Sequence, residues 1–395
     1  MPGLTADLMK ILYSHRTRSA DGQYVHIRAL TEALSLRGHE LTMCGPETGS
    51  SQNAAAKKLD AGDGSAGVKS AMPKSVYEAA EFAYSAVGYK KLKSAVQVAR
   101  PDVLYERYNL FYHAGVRLAR SERLPFILEV NAPLAEERGK HGGLGLKKFA
   151  AWSQRSIWRA ADAVLPVTGV LGGMVEAAGV PAEKISVIQN GVDDDFLANV
   201  DGSDVRARYG LQSKLVLGFT GFVRDWHGVD RVLEMMAQSG RDDLHLLLVG
   251  DGPAREALEQ QAQNLGLAER FTVTGVVQRE DMPAHVAAFD VALQPAVVDY
   301  ASPLKLFEYM ALGKPILAPD SANIKEVLAN GESGLLFTRD DQNSFVEALS
   351  TLCADHELRL RLGASARQSL DRQGLTWAEN AARVEKIAVD LVAKK

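Results

Sequence analysis

The chain has 395 residues, 46% of them apolar and 24% charged, with a formal net charge of −4. That balance is globular, allows roughly two to three ordinary domains, each able to bury a core, and does not make disorder the default reading. No apolar run approaches the roughly 18 residues of a membrane-spanning helix, and Cys44 and Cys353 are too far apart for a metal-ligand spacing, so both are expected to be reduced.

Met1 to Arg18 offers only a few apolar residues before His15, Arg16 and Arg18. A secretory signal needs more, so a cytoplasmic protein is expected. Met9–Tyr13 reads as a first strand. Residues 23–37 follow as a helix, with Ile27, Leu30 and Leu34 at helical spacing and Gly38 closing it, and Glu40–Cys44 as a strand. Residues 45–73, rich in Gly, Ser, Ala and Asp, predict a long surface loop or insertion. Strand patterns recur at 103–106, 126–130, 163–167 and 185–188, with helical stretches between them. A second run follows residue 200, with strands at Leu215–Phe219, Leu244–Val249, Phe271–Thr274, Val291–Gln294, Pro315–Ala318 and Gly334–Phe337. This alternation predicts an α/β protein of two doubly wound, Rossmann-like parallel sheets, one in residues 1–192 and one in 193–375. Asn190-Gly191-Val192-Asp193 is turn chemistry suited to a hinge. The tail, 376–395, reads as an amphipathic helix packing back on the first domain. Open α/β sheets bind ligands at the carboxyl ends of their strands, so a cleft between two such domains is the expected site.

Charge is unevenly spread. Residues 1–190 carry 24 Lys and Arg against 18 Asp and Glu, and the remainder 21 against 31. Such asymmetry is what a half that meets an anionic partner would show. Lys147, Lys148, Trp152, Arg155, Trp158 and Arg159 fall in one helical stretch within 144–161. Aromatics among cations suit either a helix lying on a membrane surface or an ordinary snorkelling surface helix. The Lys57-Lys58 and Lys90-Lys91 pairs are too isolated for a nucleic-acid surface.

Two segments of the second half carry chemistry. Leu246 to Pro253 is a strand running into Gly250-Asp251-Gly252, then a helix. Bare backbone there can approach a phosphate, and a helix N-terminus favours anions, although a plain tight turn has the same spacing. A dinucleotide fingerprint fails, because Arg255 holds the third glycine position. In Ala301 to Pro315, Pro303 suits a first helical turn. Leu304, Phe307 and Leu312 form an apolar face, and Glu308 is a lone carboxylate able to accept from vicinal hydroxyls. An ordinary amphipathic helix fits that segment as well.

Taken in order and spacing, these segments resemble the family 4 glycosyltransferases of the GT-B fold over nearly the whole chain. The resemblance also rests on Met9–Tyr13, the Asp21-Gly22 loop, Arg37-Gly38-His39-Glu40, and Val180-Pro181-Ala182-Glu183-Lys184-Ile185 running to Asn190-Gly191-Val192-Asp193. It implies a metal-independent, retaining enzyme that moves a hexosyl unit from a nucleotide-diphosphate sugar to a saccharide or lipid-linked acceptor, in polysaccharide or glycoconjugate biosynthesis. No further cofactor is implied. Glu308 would hold the ribose, and Gly22, Gly228, Gly250, Ser302, Pro303, Leu304 and Lys305 would line the donor.

Three departures stand out. The family's earlier glutamate is replaced by Tyr300, with Asp299 beside it. In Gly221-Phe222-Val223-Arg224-Asp225-Trp226-His227-Gly228, His227 stands where the family has a phosphate-binding lysine. Phe222 stands near its usual arginine, with Arg224 two residues on, and a subset of the family shows Trp-His-Gly here. Asn131 replaces a common histidine. Arg224, His227 and Asn131 are therefore the catalytic candidates, and Arg107, Glu129 and Asn131 the acceptor-side ones. A capping histidine is the bland alternative for His227, and strand-end hydrogen bonders for the other three. Asp193-Asp194-Asp195 mimics a metal site but suits a solvated hinge. A nucleotide-sugar epimerase of related fold and a non-catalytic nucleotide-sugar-binding partner are the competing functions.

Overall fold

Among the described residues eleven short segments become strands, each bounded by turn residues or a helix and most of them buried as strands covered on both faces are. The computed structural model describes residues 8–17, 22–46, 73–140 and 142–395. Most of the 45–73 stretch, Lys57-Lys58 and Asp21 lie outside the described residues. The chain divides into two units, Met1–Gln189 with Trp377–Lys395, and Asn190–Thr376.

In the first unit, β1 (Lys10–Ser14), β2 (Glu40–Cys44), β3 (Val103–Arg107), β4 (Phe126–Val130) and β5 (Ala163–Pro166) form an all-parallel sheet of order β2-β1-β3-β4-β5. β3, β4 and β5 are buried at every position, the pattern of strands covered on both faces. Residues 185–188 do not form a continuous strand. A one-turn helix at Ala182–Lys184 precedes them, and they meet β5 through one parallel bridge, Ile185 to Val164, with Ser186 and Ile188 N–H donating to Val164 O and Pro166 O. The predicted first helix runs Gly22–Leu36. The tail helix, Trp377–Val392, packs on it through Trp377, whose ring meets His26 edge-on at 4.8 Å. An ion-pair cluster of Arg37, His39 and Glu385 fixes the far end.

In the second unit, β6 (Leu215–Thr220), β7 (Leu244–Val249), β8 (Phe271–Val273), β9 (Val291–Leu293), β10 (Ile316–Pro319) and β11 (Leu335–Phe337) form a parallel sheet of order β11-β10-β9-β6-β7-β8. The order reverses direction between β6 and β9, which makes the carboxyl ends of those strands the natural ligand position. Apolar clusters fill both faces, one around Phe289, Phe307 and Tyr309, the other around Phe219, Phe337 and Phe345. Cys353 is buried and Cys44 half-buried, both as thiols.

Candidate active site

In the second unit, the loops leaving β6 and β7 zip together. Gly221 N–H donates to Val249 O at 2.9 Å and Val223 N–H to Asp251 O at 2.8 Å. A Cβ on Gly250 would stand 2.2 Å from Gly221 O, and one on Gly252 the same distance from Val223 O. Both glycines have positive φ, so close backbone packing as well as torsion requires them.

The helix Leu304–Ala311 is pinned to this layer by Tyr309, whose hydroxyl accepts from Thr220 N–H at 3.0 Å. Its preceding loop is held from outside. Asn323 Nδ2 donates to Ala301 O and Val298 O, and Asn190 Nδ2 donates to Ser302 O at 2.6 Å. Asn190 N–H also donates to Ser302 Oγ. Pro303 is the N-cap, so the Leu304 and Lys305 amides open the helix.

Glu308 is only 5% exposed. Its Oε1 accepts from Arg279 Nη1 at 2.6 Å, and Arg279 sends Nε and Nη2 to Asp193 Oδ2 at 2.9 and 2.7 Å. Phe196 lies under the guanidinium at 4.9 Å. Asp193 is half-buried and paired with Arg279, so it departs from the solvated hinge expected of the Asp193-Asp194-Asp195 run, whereas Asp194 and Asp195 are exposed. Among the described residues no group of acidic, His or Cys side chains is arranged to hold a metal. Arg279 had no sequence signal, because it sits in a one-turn helix, Arg279–Asp281, far from any motif.

His227 caps its own turn. Asp225–His227 is a single 3-10 turn, and Nδ1 accepts from Arg224 N–H at 2.9 Å. A backbone amide only donates, so the ring proton sits on Nε2 and the ring is neutral. Burial, then the charges of Lys305 and Arg224, push its pKa down to about 3. What His227 can offer a diphosphate is a neutral Nε2–H donor. Gly228 is buried at φ +70°, a left-handed turn that favours glycine. Arg224 is exposed and its guanidinium lies 5.0 Å above the Phe222 ring. Lys305 Nζ lies 3.6 Å from the Phe219 ring centroid. Asp299 is exposed and paired with Arg339, and Tyr300 beside it is half-buried.

In the first unit, Gly22 opens its helix and is exposed. Arg107 ends β3, Glu129 lies on β4 and Asn131 just beyond it. The structure joins all three, since Arg107 and Asn131 both bond Glu129 Oε1. Glu129 Oε2 is taken by Tyr105 Oη at 2.8 Å and His26 Nε2 at 3.0 Å. Burial pushes the Glu129 pKa up, but attraction to His26 and Arg107 and hydrogen bonds from His26 and Asn131 outweigh it. The carboxyl is thus held well below the usual range. At 2% exposure, with both oxygens engaged, Glu129 organises Arg107 and Asn131, and Asn131 is the more accessible group. His26 escaped the sequence reading because it lies on the apolar face of a helix. Nearby, Glu106 accepts from Ser14 Oγ at 2.9 Å, and burial pushes its pKa up to about 8 against the opposing effects of Ser14 and Arg16.

The basic aromatic helix runs Lys147–Ala160. Trp158 is buried at 1%, so it has no interfacial role, whereas Trp152 is 48% exposed and stacks on Phe149 and His113. Lys147, Lys148, Arg155 and Arg159 are exposed.

Two parallel α/β units, with a glycine-layered loop pair and a buried carboxylate on a helix in the second, define the GT-B class. The chain matches the family described as Glycosyltransferase Family 4 over residues 20–196 and Glycosyl transferases group 1 over 204–369. Together these matches support a GT-B glycosyltransferase of the family 4 type. An α-D-kanosaminyltransferase of Streptomyces kanamyceticus is 27% identical over 55% of this chain and 58% of its own length, so the chain spans about six-tenths of that relative. D-inositol 3-phosphate glycosyltransferase of Xylanimonas cellulosilytica is 25% identical over 97% of this chain and 96% of its own. The Anabaena HepE structure with UDP-glucose superposes with a TM-score of 0.74 at 18% identity, over 97% of this chain and 100% of that one. That superposition establishes the fold.

Proposed function

We propose that this protein is a retaining glycosyltransferase that transfers a hexosyl unit from a nucleotide-diphosphate sugar to a saccharide or lipid-linked acceptor. The observation that carries this is Glu308. A buried carboxylate held by Arg279, on the helix that follows β9, suits the two adjacent hydroxyls of a ribose. The sugar transfers for which both relatives are named favour this over an epimerase or a non-catalytic binding partner. The HepE structures hold UDP and UDP-glucose, which supports a nucleotide-sugar donor here.

In this mechanism the glycosidic C–O bond to the diphosphate breaks as the acceptor oxygen bonds the anomeric carbon from the same face. The leaving phosphate oxygen takes the acceptor proton. No protein nucleophile and no metal is needed, so catalysis lies in positioning and in stabilising negative charge. The His227 Nε2–H, Arg224 and the amides of Leu304 and Lys305 would stabilise the departing diphosphate. Asn131 and Arg107, oriented by Glu129, would meet the acceptor. No helix among the described residues is long and apolar enough to cross a membrane. Lys147, Lys148, Trp152 and Arg155 instead suit peripheral contact with an anionic bilayer on the cytoplasmic side, where a lipid-linked acceptor would lie.

The test is a matrix of UDP-, GDP- and ADP-hexoses against sugar and lipid-linked acceptors, reading nucleoside diphosphate release. Release that requires an acceptor, in the presence of chelator, supports the proposal. Release without one in every pairing, or conversion of the donor to an isomer, refutes it.

A further inference from the structure

Phe219, near the carboxyl end of β6, is flanked by titratable side chains from two different elements. Lys305 Nζ approaches its ring from the helix Leu304–Ala311, and the His227 ring lies 5.3 Å away on the loop after β6. A Cβ added to Gly221 would stand 3.6 Å from that Nζ, so the amine lies beside the glycine backbone of the loop. Among the described residues Lys305 forms no hydrogen bond or ion pair. The acidic groups nearest in sequence are committed elsewhere, Glu308 to Arg279 and Asp299 to Arg339. An amine lying on an aromatic face without a carboxylate partner is a cation site still lacking its anion.

Phe222, on the loop after β6, carries no charge, and Arg224 stacks on its ring in an exposed setting. We propose that Lys305 supplies the counter-charge to the donor diphosphate that Phe222 cannot, a role that rests on the donor function proposed above. Burial pushes the Lys305 amine down to about 7, with Glu308 opposing. The groups facing it are Glu308 on its own helix and His227 on the loop after β6. His227, pushed down to about 3, stays neutral across the working range. At pH 8 Lys305 is therefore mostly the free amine before an anion binds. An arriving diphosphate favours the ammonium, so anion binding draws a proton onto Nζ from solvent.

Calorimetric titration of the full chain with UDP, GDP, ADP and inorganic pyrophosphate, in buffers of differing ionisation enthalpy, reads that proton directly. Uptake close to one proton per site is expected at pH 8, with far less at pH 6. Lys305→Met should abolish the uptake and weaken binding about ten- to a hundredfold. Lys305→Arg, permanently charged, should restore most of the affinity without uptake, and His227→Ala should leave the uptake in place. If a nucleoside diphosphate binds wild type without proton uptake, or Lys305→Met keeps wild-type affinity, the role of Lys305 is overturned while donor binding stands. If none of the four probes binds wild type, the donor function itself falls, and this role with it.

Discussion

Replacing Glu308 separates what the carboxylate does for the fold from what it does for a ligand. Its side chain is 7% exposed and one oxygen accepts from Arg279. Glu308→Gln keeps the shape and an oxygen for Arg279 but removes the charge. A charge-assisted hydrogen bond is worth about 1.5–3 kcal/mol and a neutral one about 0.5–1.5. Binding of a nucleoside diphosphate should therefore weaken by about 1–1.5 kcal/mol, or roughly tenfold. Glu308→Ala removes the hydrogen bond entirely, so binding should fall by about one to two decades. Stability should fall as well. Deleting one partner of a buried pair costs about 3–5 kcal/mol, but Arg279 keeps two bonds to Asp193, which places the loss near the lower end of that range. Calorimetry with UDP, GDP and ADP gives the first quantity and urea unfolding gives the second. Wild-type affinity in Glu308→Gln together with a shifted urea midpoint would reduce Glu308 to an anchor for Arg279 and refute the ribose role.

Arg279→Lys should lower donor affinity severalfold while kcat at saturation changes little, because a single ammonium cannot bridge Asp193 and Glu308 as the planar fork does; a selective loss of kcat would contradict this. His227→Ala should slow transfer by roughly 10²-fold, by analogy with loss of one transition-state donor. Because the ring is neutral above about pH 3, the shape of the rate profile between pH 5 and 9 should not change, and a profile that loses its alkaline limb in this variant would restore the imidazolium. Glu106, whose folded-state pKa of about 8 lies above its ordinary 4.5, binds its proton more tightly in the folded chain. Its contribution is full below about pH 4.5 and is lost as pH rises toward 8, so Glu106→Gln should flatten the fall of Tm across that window, and an unchanged slope would reject the buried protonated acid. Changing Lys147, Lys148 and Arg155 together to Gln should release the protein from anionic liposomes, with salt doing the same to wild type; equal sedimentation of wild type with neutral and anionic vesicles would leave the helix a plain surface element.

The local chemistry of the chain already decided its two parallel sheets. Each strand is a short apolar run closed by turn residues, and each helix carries its own periodicity, so β7 at Leu244–Val249 and the helix Lys147–Ala160 are legible from neighbouring residues alone. The failure at 185–188 shows the limit, because a strand exists only if a partner pairs along its length, and here the pairing with β5 stops at a single bridge. The same division runs through the site. Glu308 announces itself as a lone carboxylate in an apolar helix, and the glycines at 250 and 252 as a turn. Arg279, 29 residues upstream of Glu308, and His26, hidden on an apolar helix face, carry no local signal. Whether His227 is cation or neutral donor was likewise undecidable from its neighbours in sequence. That depends on burial beside Phe219 and Lys305 and on a backbone amide aimed at Nδ1, conditions that arise only when segments distant in sequence are brought out of water together. Sequence determines which side chains are available. Their protonation and pairing follow from desolvation and from partners that only the tertiary structure supplies.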